Sequence, residues 1–448
     1  MLGATMTSAF SILPTPWIVP REGPAETKNT TAWMRIVVGD RIVTRVDDRW
    51  SQSARDQVVL SAYPLALWFA SSWWRLLWEP APVFALGPSP AWRMAHETAA
   101  VGHGFVWPRL RFVSDGETVE ISSWASPHSE SEPIRYLENV RAVLPVKQVE
   151  GVIEQFQALV LRRLQVTGPR VSDLGALWDE VQVERANPEK AAWRRIEARL
   201  GYDPDEAPEA LVGEIRTFGE AVGQSSSEEI ATVCGGRPDP GEVFSRILDS
   251  GRSDGVRGKF PALPTLRVEE RQPPWQRGRQ LAAQVRKALS LGEDIVTNET
   301  IANLLGVSSK YVKDDRPDKS FKSLPMGLAI REANSQIRVI LRKRHPEARR
   351  FEAARLFADG LVAPESERWL PATDANTARQ KVQRSFAAEF LAPISALGDR
   401  LQGDFSEEGI EDAAVAFGVS PLLVRSHLAN NGLISPEAVE SPDRRFAG

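Results

Sequence analysis

The residues best equipped for chemistry fall within positions 310–355, where 13 basic residues meet 6 acidic ones, in a chain whose net charge is −4. Lys310, Lys313, Arg342, Lys343, Arg344, Arg349 and Arg350 supply the cations. Such a set can neutralise a phosphate backbone or an acidic protein surface, and a solvated helix face is the plainer alternative. Elsewhere, His96-Glu97 has the look of half a zinc motif, but the next histidine is His103. That spacing sets the rings nearly two helical turns apart, so a surface or hydrogen-bonded histidine is expected rather than a shared ion.

Two amphipathic helices must position the end of the basic cluster. The stretch RRFEAARLFADGLV carries Phe351, Ala354, Leu356, Phe357 and Leu361 at helical period, and QKVQRSFAAEFLAP carries Val382, Phe386, Ala387, Phe390 and Leu391. The pair resembles the centre of the ImmA/IrrE family of metallopeptidase-like proteins. There the first helix reads approximately RRFTLAHELGHLL and the second ends in a phrase close to ANxFAAELLMP. SFAAEFLAP keeps the second phrase, and the first survives only as a frame. Aligning RRF with RRF puts Arg355 at the family's first zinc histidine, Leu356 at its catalytic glutamate and Asp359 at its second histidine. The family's third ligand, a glutamate shortly before FAAE, falls in the region of Gln380, Val382 and Gln383. Zinc needs neutral imidazoles on one helix face and a carboxylate beside them to activate water. Arginine repels a cation, and leucine cannot take a proton. The resemblance therefore implies a zincin-like scaffold without metal, cofactor or catalytic residue. Its old cleft is expected either to bind an anionic group or to be closed by an Arg355–Asp359 pair at i, i+4.

The resemblance continues on both sides and covers roughly the last 170 residues. GRQLAAQVRKALSL at 278–291 is similar to the family's opening helix, and VTNETIANLLGV to the helix that follows. LPMGLAIR and SQIRVIL read as two strands joined by Glu332-Ala333-Asn334, and GIEDAAVAFGVSPLLVRSHLANNGLI resembles the family's terminal segment. Residues 300–312 and 412–424 also match a helix-turn-helix rhythm. The later unit offers Arg425, His427, Asn430 and Asn431 for base contacts, and the earlier one Lys310 and Lys313. Both positions are ordinary helices of the peptidase-like scaffold, and a structural role is the favoured reading for each.

At 448 residues the chain is expected to form two or three domains. The expected class is α+β, predominantly helical, with a small sheet in the C-terminal zincin-like domain. A hydrophobic content of 42% with 25% charged residues suits a soluble protein. The single Cys234 excludes an intrachain disulfide and fits a reducing, cytoplasmic setting. The start lacks the basic region of a signal peptide. The apolar run 65–78 contains Arg75 and is shorter than the roughly 20 residues needed to span a bilayer, so no membrane partner is expected.

Residues 1–30, with Pro14, Pro16, Pro20 and Pro24, read as irregular. Residues 33–46 read as a hairpin about Gly39-Asp40, 53–78 as a helix and 105–124 as a second hairpin tipped by Asp115-Gly116. Together these suggest a tryptophan-rich α+β domain over 1–140, in which Trp73, Trp74 and Trp78 are expected as core rather than as a base-stacking surface. A helical connector over 141–235 follows, with a stripe of Val149, Ile153, Phe156, Val160 and Leu164 and a helix start at Asn187-Pro188. Residues 236–272 read as a linker around one short helix, and 273–448 as the peptidase-like domain.

Three function classes follow. The first is a non-catalytic regulatory or binding protein with a protein partner, in bacterial regulation or defence against phage and mobile elements, as the resemblance implies. The second is a nucleic-acid-binding subunit of a larger assembly, using residues 310–355 and a helix-turn-helix. The third is an active metallopeptidase with a rebuilt site, for which the C-terminal domain offers only His345 and His427 as histidine ligands.

Overall fold

The computed structural model describes residues 9–49, 51–82, 87–127, 133–167, 172–264, 266–269, 271–313 and 324–435. The protein is α+β and predominantly helical, with several small antiparallel sheets. It divides into two compact units, Met1–Gly213 and Glu214–Gly448.

In the first unit Thr31–Gly39 is the centre of a four-stranded sheet. Ala9–Trp17 pairs along one side of it, and Arg41–Ile42 and Val58–Ser61 along the other. Met34, Ile36 and Val38 alternate inward, as a strand's period of two requires. Two expectations are corrected here. Ala9–Trp17 is a strand despite Pro14 and Pro16, because it pairs on one side only and its register breaks between Pro14 and Trp17, so the absent N–H groups interrupt no continuous ladder. The stretch read as one helix from 53 opens instead with two strands, Ser53–Arg55 and Val58–Ser61, before the helices Ala62–Ser71 and Trp73–Trp78. Pairing of Val58, Val59 and Leu60 with Ala32–Met34 outweighs their helical spacing.

The first hairpin forms, but its second arm shrinks to Arg41–Ile42, because the Thr44 hydroxyl then turns in to accept the Ile36 N–H at 3.0 Å. The second, Arg109–Ser114 with Thr118–Trp124, forms as expected: Asp115 Oδ1 accepts from the N–H of Glu117 and of Thr118, and Gly116 has φ +93°. Trp73 and Trp74 are buried and Trp78 is partly so. The Trp73 ring meets Trp178 edge-on at 5.3 Å, and the Trp74 indole N–H donates to Glu184 Oε2 at 2.6 Å. His96 is a core histidine, stacked on Trp92 and within hydrogen-bond reach of Phe112 O and Glu79 Oε2.

The helix Val146–Thr167 sends its expected stripe into the same core as Phe69 and Phe112. The residues read as the start of a connector thus complete the N-terminal core, and 140 is not a boundary. Asn187 caps Pro188–Leu200 as its dipeptide suggests, accepting from the N–H of Glu189 and of Lys190.

The second unit has a four-stranded antiparallel sheet in the order Val256–Lys259, Gln336–Ile340, Gly327–Arg331, Trp369–Ala372. The inner two are the strands read from sequence. The outer two lie in the expected linker and in the stretch between the two amphipathic helices. Gly258 lets its strand pass Leu305, whose carbonyl oxygen would lie 2.1 Å from any Cβ placed there. The helix Pro240–Ser253 packs with Phe218 and Trp369 through Phe244 and Gly251, so residues 236–272 are built into this unit. The core collects Leu281, Val285, Leu305, Phe357, Phe386 and Phe390 from successive helices. Among the described residues no helix is long and apolar enough to cross a membrane.

Pro274–Ala288 approaches Ala378–Leu391 closely at Gly278, where a Cβ would stand 2.4 Å from Val382 O and 2.8 Å from Phe386 N. Gly278→Ala is expected to destabilise the protein by about 1–3 kcal/mol through overpacking. Gly398→Ala, in a helix with nothing within 4 Å of the added carbon, should instead stabilise by about 0.4–1 kcal/mol. Urea denaturation of both variants checks the opposite signs.

Candidate functional site

The helix Pro346–Val362 opens with a proline where no N–H is needed. It lies against the strand Trp369–Ala372 and the helix Ala378–Leu391, which Thr377 caps by accepting the Gln380 N–H at 3.3 Å. Phe357 and Phe386 join the two helices with ring centroids 6.1 Å apart. The three marked positions are interior: Arg355 is 3% exposed, Leu356 0% and Asp359 0%.

Arg355 donates through Nη2 to the Thr373 carbonyl and to Gln380 Oε1. Gln380 is fixed in turn, its Oε1 accepting the Thr373 N–H at 2.9 Å and its Nε2 donating to Pro371 O at 2.9 Å, where Gln383 Nε2 also donates at 3.0 Å. Burial pushes the Arg355 guanidinium down to about 9; the Arg384 charge adds to this, and Glu352 and Asp374 oppose it.

The expected Arg355–Asp359 pair does not form. Asp359 is held instead by Arg379 of the facing helix, with Nε–Oδ1 at 2.9 Å and Nη2–Oδ2 at 2.7 Å. A guanidinium matches a carboxylate bidentately when it arrives in plane, and here that approach comes from across the helix interface. Burial works against the Arg379 charge, but Asp359 outweighs it and raises the group above its usual range. Arg379 also reaches Ser226 Oγ at 3.1 Å and Glu367 Oε2 at 3.4 Å. Glu367 accepts the N–H groups of Ser225 and Ser226 at 3.1 and 2.8 Å, the otherwise unpaired donors at the start of Gln224–Cys234. The chain of charge thus runs from Asp359 through Arg379 and Glu367 to a helix N-terminus.

The basic cluster is largely turned inward. Glu352 Oε2 accepts the backbone N–H of Arg342 and of Lys343 at 2.6 and 3.0 Å, and burial raises its pKa. Both side chains pair with Asp374, Arg342 at 2.9 Å and Lys343 at 3.5 Å. Arg349 lies over the Tyr311 ring and donates to the carbonyls of Tyr311, Val312 and Lys343. Arg350 donates to Gly418 O at 2.9 Å, Val296 O at 2.5 Å and Asn298 Oδ1 at 2.5 Å. Of the seven cations singled out in sequence, Lys310, Lys313 and Arg344 are exposed. Arg316, Lys319 and Lys322 of the same stretch lie outside the described residues.

Both helix-turn-helix segments form. Asn298–Leu305 and Ser309–Lys313 turn at Gly306, and Glu407–Phe417 and Pro421–Asn430 turn at Gly418, with φ of +63° and +61°. Tyr311 Oη donates to Val339 O and fastens the earlier second helix to the sheet. In the later one His427 is buried against Glu389 at 3.1 Å, Arg425 is paired with Glu407, and Asn431 Nδ2 donates to His427 O at 2.7 Å. Burial alone would raise Glu389, but His427 and Arg279 hold its carboxyl below the usual range. Among the described residues no group of three His, Cys, Asp or Glu is placed to hold a metal ion.

Arg379, Glu367 and Ser226 escape the sequence reading. The available signal was Asp359 itself, a carboxylate one turn from the apolar stripe of its helix, which could be buried only with a cation beside it.

Comparison with known proteins finds no matching family model, no matching curated protein and no matching solved structure.

Arg379→Ala is expected to cost about 3–5 kcal/mol, because it leaves Asp359 charged in the interior. The double variant Arg379→Met with Asp359→Leu should recover most of that loss. Urea midpoints of the single and double variants decide it, and a double variant no more stable than the single would contradict the assignment.

Proposed function

We propose that residues 273–448, within the Glu214–Gly448 unit, are an ImmA/IrrE-like domain that has lost its chemistry, and that the protein acts as a non-catalytic regulatory or binding factor with a protein partner. The context that the resemblance implies is bacterial regulation or defence against phage and mobile elements. One observation carries the reading: Arg355 is hydrogen-bonded directly to Gln380. The resemblance places the first of these at a zinc histidine and the second in the region of the third ligand. The Arg355 guanidinium supplies donors where an ion would need acceptors, and it cannot leave to admit water. Leu356, at the position of the catalytic glutamate, belongs to the apolar core.

The exposed Lys310, Lys313 and Arg344 support a second reading, a nucleic-acid-binding subunit of a larger assembly. The expected signature is a salt-dependent shift with DNA or RNA that disappears when all three are changed to glutamate.

Metal analysis and affinity purification test the first reading. The purified protein is expected to carry no stoichiometric zinc, to leave peptide substrates uncut when zinc is added, and to co-purify with the product of a neighbouring gene. One equivalent of bound zinc, or zinc-dependent cleavage abolished by chelator, overturns it.

A further inference from the structure

In the Met1–Gly213 unit, the outer face of the sheet formed by Val140–Pro145, Thr118–Trp124 and Arg109–Ser114 carries a basic and aromatic pocket. Leu110 and Phe112 point into the core, so Arg109 and Arg111 point out. Arg109 stands opposite Trp124 in the strand register, which puts both side chains on one face. Trp124 is 43% exposed, whereas the other described tryptophans of this unit are buried or partly buried. The Arg111 guanidinium lies over its ring at 4.7 Å.

The helix Pro90–His96 and Glu97 close the pocket from the side. Glu97 Oε1 accepts from Arg111 Nε at 2.8 Å, and Oε2 accepts from Arg93 Nε at 3.0 Å. One carboxylate therefore fixes two guanidinium groups without cancelling both. With the exposed Arg109, the walls keep a net positive charge of about two by simple Coulomb counting. The cavity holds about 360 Å³ among Arg93, Glu97, Arg109, Leu110, Arg111 and Trp124. That is the lower range of small-ligand sites.

We propose that this pocket binds a nucleotide, its base stacked on Trp124 and its phosphate held by Arg109 and the Arg93–Arg111 pair. A flat, sequence-tolerant ring surface beside fixed guanidinium groups is the combination that recognises an unstacked base and its phosphate. The volume suits one nucleotide, either free or within a single strand. The site is independent of the reading of the C-terminal unit and of its exposed lysines.

Two probes on the full-length protein test this: AMP by calorimetry, and a fluorescein-labelled oligothymidylate by anisotropy at low salt. Binding of AMP assigns the site to free nucleotide, and binding of the oligomer alone assigns it to single strands. In either case Trp124→Ala is expected to weaken affinity by about fivefold or more, while Trp124→Phe, which keeps a ring, retains most of it. Arg109→Ala should weaken binding alike for every base and lower the salt slope by about one. The proposal is overturned if neither probe binds, or if binding survives Trp124→Ala and Arg109→Ala. Loss only with the Lys310, Lys313 and Arg344 substitutions, or equal competition by polyglutamate, which marks a surface for acidic proteins, overturns it too. Circular dichroism of each variant separates lost binding from lost fold.

Discussion

The contact between the helices Pro346–Val362 and Ala378–Leu391 depends on how charge is neutralised in a buried interface. Arg355 and Asp359 sit on one side, and Arg379 and Arg384 on the other. Taking such groups out of water costs several kcal/mol per ion, and only good geometry returns it. Asp359 and Arg379 meet that demand bidentately. Arg355 meets it differently, with neutral oxygen acceptors at hand and the carboxylates of Glu352 and Asp374 acting from further off. Burial lowers the pKa of Arg355, because neutral acceptors and distant carboxylates offset its charge less fully than a paired carboxylate would. On the reading proposed above, a place suited to exchangeable ligands has become a cross-link whose parts all belong to the chain.

The same economy explains the basic segment. A helix leaves its last carbonyls unpaired, and the negative end of its dipole attracts cations. Arg331 donates to the carbonyl of Gly360 in the last turn of the Pro346–Val362 helix and to those of Ala363, Pro364 and Glu367 just past it. Arg286 reaches Phe390 at the end of the facing helix, and Arg350 reaches Phe417 and Gly418. A positive balance along the sequence is therefore a poor guide to surface potential here, because much of it serves buried backbone oxygens.

What the sequence disclosed was local. Helical period at Phe351–Leu361 and Val382–Leu391, the Asn187-Pro188 start, the Asp115-Gly116 tip and the two glycine turns at 306 and 418 each depend on neighbours within a few positions, and each appears. What it concealed was pairing at a distance. Val256–Lys259 and Trp369–Ala372 are four residues each, too short to alternate visibly, and exist as strands only because Gln336–Ile340 and Gly327–Arg331 lie beside them. Val58–Ser61 fits a helical period until Thr31–Gly39 claims it. Domain limits failed for the same reason, since composition cannot tell a connecting helix from one that completes a core. For Asp359, the helix period suggested Arg355 as partner, and the true one lies on another helix. For the basic cluster, burial, which decides whether a cation faces solvent or carbonyl, is not written in residue type.

Arg350 touches the turn at Gly418 and the approach to the Asn298–Leu305 helix with one guanidinium. The two helix-turn-helix segments are therefore not separate modules: a single planar group sets the distance between them. A turn lengthened by even one residue in either segment would pull its oxygens off that plane and be felt in the other.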